Sequence, residues 1–292
     1  MSLLAILFSL AIERYFDTVE QLRSFGWSVS FADWVKEKFS HSEFWNDTAG
    51  LVIIILLPVF LCAIIYTALY DAMGLLGFLF AIVILVYSMG PRRILPTARF
   101  YVDAGEHEDE HSLKTYAANI LGNDVPDEEQ AIHRRICEKL LVSTNNNLLA
   151  VFFWFVLLGP MGALMFRITD ALYNNAIEDQ DDSQYMEFNN SARMLYAILL
   201  WVPAQLTTLA FAITGSFLDT LQEWRGRISH DYLNPAESAD TLFHTGVRAL
   251  QLDADQHLFD IETVHDVLAL CWRSVILWVT VLALLTLAGW TG

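Results

Sequence analysis

Charged positions divide the chain into long apolar windows. Residues 48–70, 72–91, 140–166, 194–218 and 274–292 contain no Asp, Glu, Lys or Arg. Each is close to the ~20 residues with which a helix crosses a bilayer core. The pattern predicts an all-α polytopic membrane protein with about five transmembrane helices, at about 49–68, 74–90, 148–167, 195–215 and 274–291. The first two form a tight hairpin around Asp71. Residues 1–12 are apolar but too few to span; without a basic leader region or a small-residue cleavage site they read as a retained short N-terminal helix. Two further regions, 92–147 and 219–272, alternate apolar and charged positions as amphipathic helices do. Pro126 with Asp127, Glu128 and Glu129 marks one helix start, and Asn234, Pro235 and Glu237 mark another. Both regions are too small for a separate core, so residues 1–292 read as a single membrane domain.

The third window carries the most unusual pattern. Leu148–Phe166 is uncharged, contains Gly159-Pro160-Met161-Gly162-Ala163, and closes on Arg167 and Asp170. Pro160 lacks a donor N–H and frees the carbonyl of Val156. In lipid such a break survives only where other helices or a cavity satisfy the freed groups. In the fourth window Pro203 is expected to break the helix at mid-depth, beside Gln205, Thr207 and Thr208. Two broken helices meeting near the midplane build either a ligand cleft or a packed structural crossing.

Basic residues orient the chain. With the N-terminus in the cytoplasm, fifteen of the seventeen Lys and Arg fall on the inside and only Arg167 and Arg193 outside. This positive-inside bias predicts a multi-pass protein of a bacterial inner membrane, with 92–147 and 219–272 cytoplasmic and the C-terminus on the periplasmic side. Residues 13–48 interleave Phe25, Trp27, Phe31, Trp34, Phe39, Phe44 and Trp45 with charges, the composition of an interfacial helix.

Composition narrows the function. Hydrophobic residues make up 55% of the chain and the net charge is −17, which leaves the lipid bilayer as a partner and argues against nucleic acid. Cys62, Cys137 and Cys271 have no CxxC spacing, so neither a disulfide framework nor a zinc ribbon fits. No P-loop, GxSxG or dinucleotide fingerprint occurs. His107-Glu108-Asp109-Glu110-His111 matches HExxH, which on a helix would place both histidines on one face with Glu108 as general base. Its acidic surroundings and the absence of a third ligand argue for a solvated loop. The segment 167–193 holds Asp170, Glu178, Asp179, Asp181, Asp182 and Glu187 against Arg167 and Arg193. It reads as a solvated acidic loop, or as a cation or amine site whose carboxylates the arginines orient. No metal, cofactor or catalytic residue is assigned.

The run Leu10–Phe16 (LAIERYF), Ala150–Phe155 (AVFFWF), Trp201–Leu206 (WVPAQL) and Ala283–Thr286 with Gly289 resemble, in order and spacing, the AmpE family of inner-membrane proteins. That family is itself similar to the CobD/CbiB membrane synthases, which join an amino-propanol group to a corrinoid acid using ATP. Shared with the synthase pattern are Glu138, Gly159-Pro160-x-Gly162-Ala163, Arg167 and Pro203-Ala204. Departures are Val142 and Ser143 for a Glu and an Asn, Asn146 for an Asp, Asp170–Tyr173 for an Asn-Thr-x-Asp run, and Gln205 for an Arg. The resemblance implies a regulatory or sensory role in β-lactamase induction and cell-wall-fragment signalling rather than catalysis. Its partner would be a muropeptide-related ligand or another membrane protein. Degenerate synthase activity and ligand transport are the alternatives. The implied cleft comprises Glu138, Gly159, Pro160, Gly162, Arg167, Asp170, Pro203 and Gln205.

Overall fold

The computed structural model describes residues 2–15, 25–38, 48–90, 94–122, 125–178, 186–227 and 233–288. Among them there are helices and no strand. In chain order they are α1 (Ser2–Tyr15), α2 (Gly26–Lys38), α3 (Thr48–Ala72), α4 (Gly74–Ser88), α5 (Ile94–Glu106), α6 (Glu110–Leu121), α7 (Glu129–Thr144), a π-helical turn (Asn145–Leu149), α8 (Ala150–Leu158), α9 (Pro160–Glu178), α10 (Met186–Thr214), α11 (Phe217–Arg227), α12 (Pro235–Ala249) and α13 (Ile261–Leu287).

Four stretches are long and apolar enough to cross a membrane: Gly50–Ala72, Glu129–Leu158, Met186–Thr214 and Ile261–Leu287. The chain is therefore an all-α polytopic membrane protein. The expected second span is the shorter α4, and the last span extends a helix that begins at Ile261. Asp260 caps that helix: its carboxylate accepts from the N–H and hydroxyl of Thr263, which hold its pKa below the usual carboxylate range.

The expected third span is not one helix. The helix running through α7 and α8 stops at Leu158, and α9 starts at Pro160. Gly159 sits between them with φ 66°, a conformation in which a Cβ is strained. Pro160 is thus the first residue of a new helix, where a missing N–H costs nothing. The two helices close tightly: a Cβ on Gly162 would lie 2.2 Å from the carbonyl oxygen of Trp154. The chain then returns to where it left. The carbonyl of Asn147 accepts from the N–H of Gly90, and Arg167 Nε donates to the carbonyl of Ser88. Residues 147 and 167 therefore meet neighbouring positions at the end of α4, which a straight crossing of about 30 Å forbids.

α10 corrects a second expectation. It runs unbroken from Met186 to Thr214 with Pro203 inside. Proline at 203 removes the donor for the carbonyl of Leu199, and the Trp154 indole N–H takes that place at 3.0 Å. A side chain of α8 thus mends the helix that proline would otherwise open.

α9 lies among α2, α3, α4, α8 and α10, while α12 packs on α10 and α7 on α13. One apolar core joins α1, α4, α5, α7, α8, α10, α12 and α13; a smaller one gathers Phe25, Ala32, Leu51, Ile54, Leu164, Ile168, Leu172 and Phe188. Trp27 and Trp34 of α2 are exposed, as an interfacial helix requires; Phe39, Phe44 and Trp45 lie outside the described residues.

Candidate functional site

The return of the chain at Gly159 brings an ion pair into the interior. Arg167 and Asp170 stand one turn apart on α9, and Nη1 of Arg167 donates to Oδ2 of Asp170 at 2.7 Å. Both side chains are buried, at 3% and 13% exposure. Ionisable groups at such depth are costly in a membrane and mark functional positions by default. Arg167 also caps α4, whose last carbonyls have no partner within the helix: its Nε donates to the Ser88 carbonyl at 2.8 Å.

A line of hydrogen bonds leads away from Asp170. The Tyr196 hydroxyl faces this carboxylate. It accepts in turn from Asn146 Nδ2 at 3.1 Å. Asn146 Oδ1 accepts from Asn145 Nδ2 at 3.0 Å, and Asn145 Oδ1 accepts from the Thr207 hydroxyl at 2.7 Å. Every donor points the same way, from Thr207 toward Tyr196. Tyr196 and Thr207 are eleven residues apart on α10, three turns and about 16 Å along one face. The asparagines bridge that interval from the π-turn, an irregularity often found at functional sites. The Tyr196 ring stacks on Tyr173 at 4.4 Å and on Phe166 at 5.9 Å, which fixes its hydroxyl.

Two atoms of this seam are left over. Arg167 Nη2 and Ser88 Oγ are buried without a hydrogen-bond partner. A Cβ on Gly90 would fall 2.2 Å from the Asn147 side chain, so α4 and the π-turn meet there through glycine.

The expected cleft residues separate into groups. Gly159, Pro160 and Gly162 form the turn that returns Arg167 to α4, and Arg167 and Asp170 form the ion pair. Pro203 is buried in α10, behind the bond from Trp154 to Leu199. Gln205 accepts from the Trp224 indole N–H at 2.6 Å and so fastens α11 to α10. Glu138 pairs with Arg135 on α7 at 3.2 Å, both partly exposed. Ser88, Asn145 and Tyr196 are part of the seam and were not anticipated. The run of three asparagines at the entrance of an apolar window was the available signal, together with the shared face of Tyr196 and Thr207.

The HExxH match does not form a ligand pair on one helix. α5 ends at Glu106, Glu108 has φ 53°, and Asp109 caps α6. His107 Nδ1 bonds the Asp103 carbonyl at 2.8 Å, and that bond and the Asp103 carboxylate raise its pKa. The Ser112 hydroxyl and N–H hold Asp109 below its ordinary value. Among the described residues no three His, Cys, Asp or Glu converge on a metal-sized site. In the acidic segment, Asp179, Asp181 and Asp182 lie outside the described residues.

Comparison with known proteins gives a family. The model of the CobD/Cbib protein family matches residues 4–257. A cobalamin biosynthesis protein CobD of Stutzerimonas stutzeri is 25% identical over 151 residues, 51% of this chain and 49% of the relative. The protein of the same name from Chromobacterium violaceum is 24% identical over 152 residues, 52% and 48% of the two chains. That of Pelobacter propionicus is 22% identical over 170 residues, covering 56% of this chain and 52% of the relative. The chain spans about half the length of the curated relatives it matches. No solved structure matches. With most of its length inside the family model, the chain belongs to the CobD/Cbib family.

Proposed function

We propose that this protein is a membrane-embedded synthase-like protein, acting on a ligand held at the buried seam around Arg167 and Asp170. The relatives named for cobalamin biosynthesis favour that assignment over a purely regulatory one. The observation that carries it is the buried ion pair: a guanidinium with unused donors at the junction of α4, α9 and the π-turn. The reaction class would be ATP-dependent amide formation, with Arg167 orienting an acceptor group and the turn at Gly159-Pro160 fixing its depth. Purified full-length protein in nanodiscs, given Mg-ATP, a corrinoid acid and an amino-propanol, should form the amide. Arg167→Gln should abolish it, and wild-type protein without turnover sinks the assignment.

A second function is favoured by Gln205. It stands where the synthase pattern has an arginine, and it is engaged with Trp224; Asn146, in place of an aspartate, is engaged with Tyr196. A scaffold with these substitutions suits an AmpE-type modulator of β-lactamase induction, whose ligand would be a muropeptide-related fragment or another membrane protein. Deletion of the gene should then change induction, while complementation of a strain lacking the cobalamin synthase fails. The distribution of basic residues supports an inner-membrane location with the N-terminus and 92–147 in the cytoplasm; the expected cytoplasmic side of 219–272 and outer side of the C-terminus required 148–167 to cross, and the reversal at Gly159 removes that crossing. Reporter fusions after Asn123 and after Gly292 should therefore report the same side, and opposite sides would mean that α8 and α9 together cross.

A further inference from the structure

The seam ends in donors. Asp170 receives Arg167 Nη1, and the line from Thr207 through Asn145 and Asn146 to the Tyr196 hydroxyl is internally matched. Arg167 Nε is matched by the Ser88 carbonyl. What remains is Arg167 Nη2, with two N–H groups, and the Ser88 hydroxyl, on residues 2% and 0% exposed. Buried polar atoms of this kind are rare and call for a partner. A cation left short of acceptors at low dielectric is the costlier case. The Nε donor already lies on the Ser88 carbonyl, so the guanidinium and Ser88 belong to one locus.

We propose that Arg167 Nη2 and Ser88 Oγ form an oxyanion subsite that takes one oxygen of a carboxylate or phosphate. The proposal rests on the reading of this seam as the ligand site. The unmatched set is two N–H donors and a hydroxyl that can also donate. An acceptor-only oxygen takes one Nη2 hydrogen together with the hydroxyl's, and the anion's other oxygen is free for the second N–H, whereas a water molecule would bring two hydrogens of its own and meet a single acceptor, Ser88 Oγ. Planar guanidinium edges suit carboxylate and phosphate oxygens. The same chemistry is offered by a free anion and by an anionic lipid headgroup.

Ser88→Ala tests the subsite without disturbing a bond the fold uses, because this hydroxyl has no partner. Full-length protein in phosphatidylcholine nanodiscs is titrated with inorganic phosphate and with acetate, and thermal unfolding is followed; a parallel series replaces part of the lipid with phosphatidylglycerol. The expected result is a saturable rise in Tm, weakened about tenfold in apparent affinity by Ser88→Ala. The rise is lost in the charge-balanced double variant Arg167→Gln with Asp170→Asn, whose fold is checked by its own melting transition. A rise with phosphate or acetate identifies a soluble ligand, and one seen only with phosphatidylglycerol identifies a headgroup. Equal stabilisation of wild type and Ser88→Ala, or no stabilisation by either source, overturns the proposal. Anion binding without amide formation sinks the synthase function and leaves the subsite standing. Amide formation with anion effects indifferent to Ser88 does the reverse.

Discussion

The α3–α4 hairpin and the α8–α9 turn both join helices at a tight connection within an apolar stretch, yet they solve opposite problems. Of the most apolar window in Gly50–Ala72, 22% is buried, against 56% for Met186–Thr214, the helix that lines the seam. α3 turns Leu56, Leu57, Phe60, Leu61 and Ile64 outward, and its one mid-helix threonine, Thr67, bonds only its own helix. That is a surface made for lipid. α8 and α9 instead supply donors to other helices: Trp154 to Leu199 behind Pro203, and Arg167 to Ser88 at the end of α4. Where a backbone carbonyl would be orphaned in the membrane, this pair answers it. At the connections themselves, around Gly74 and Gly159, the flanking sequence is similarly apolar. What separates them is how many unmet polar groups their neighbours present.

Matched substitutions in the two regions test that contrast. Asp170→Ala should have the largest effect, about 3–5 kcal/mol, because it leaves the Arg167 guanidinium buried and unpaired; Asp71→Ala, at the exposed α3–α4 connection, should stay within about 0.5 kcal/mol. Thermal melts of both variants in detergent give the comparison, and equal losses would refute it. Gly162→Ala follows, at about 1–3 kcal/mol, since its Cβ would meet the Trp154 carbonyl oxygen, which belongs to backbone. At Gly74 a Cβ meets nothing within 4 Å, so Gly74→Ala should be neutral or stabilise by up to about 1 kcal/mol. Size-exclusion profiles and melting temperatures distinguish these outcomes. Tyr196→Phe removes the hydroxyl that accepts from Asn146 and should cost about 1–2 kcal/mol, while Tyr70→Phe on exposed α3 should leave the melt unchanged. Among the seam variants the smallest effect expected is that of Thr207→Val, about 1 kcal/mol, from the far end of the line where a single bond to Asn145 is lost. Hydrogen exchange at the π-turn would register that loss even if the melt barely moves.

Much of the fold was legible because lipid imposes a simple rule. Charge-free windows mark α3, α4, α10 and the end of α13. The helix start at Asn234-Pro235 appears as read: Asn234 Oδ1 accepts from the Ala236 N–H. Arg167 and Asp170 were read at the edge of a solvated acidic loop; α9 instead runs through both, and the spacing of three places them on one buried helix face. The third window misled because length alone cannot distinguish one crossing from two half-helices. Gly159-Pro160 permits either a kink or a reversal, and the choice depends on whether Asn147 and Arg167 find partners side by side on α4. Pro203 misled for the complementary reason: whether proline opens a helix depends on a donor 49 positions earlier, at Trp154. Ser88 carries no sequence signal, since its role comes from being the last residue of α4. Glu138 was singled out through family resemblance and Gln205 as a polar group beside Pro203, and each bonds a partner outside the seam.

The π-turn at Asn145–Leu149 acts as a phase shifter. One residue more than an α-helical count advances the helix by about 100°, so α7 can present one azimuth to α12 and α13 while α8 presents another to α10. Excising a single asparagine would restore regular winding, yet it would rotate the α8 side chains away from Leu199 and carry Arg167 off Ser88. This five-residue turn therefore couples the bearing of the amphipathic helices to that of the membrane helices, as a keyed joint fixes the relative rotation of two shafts.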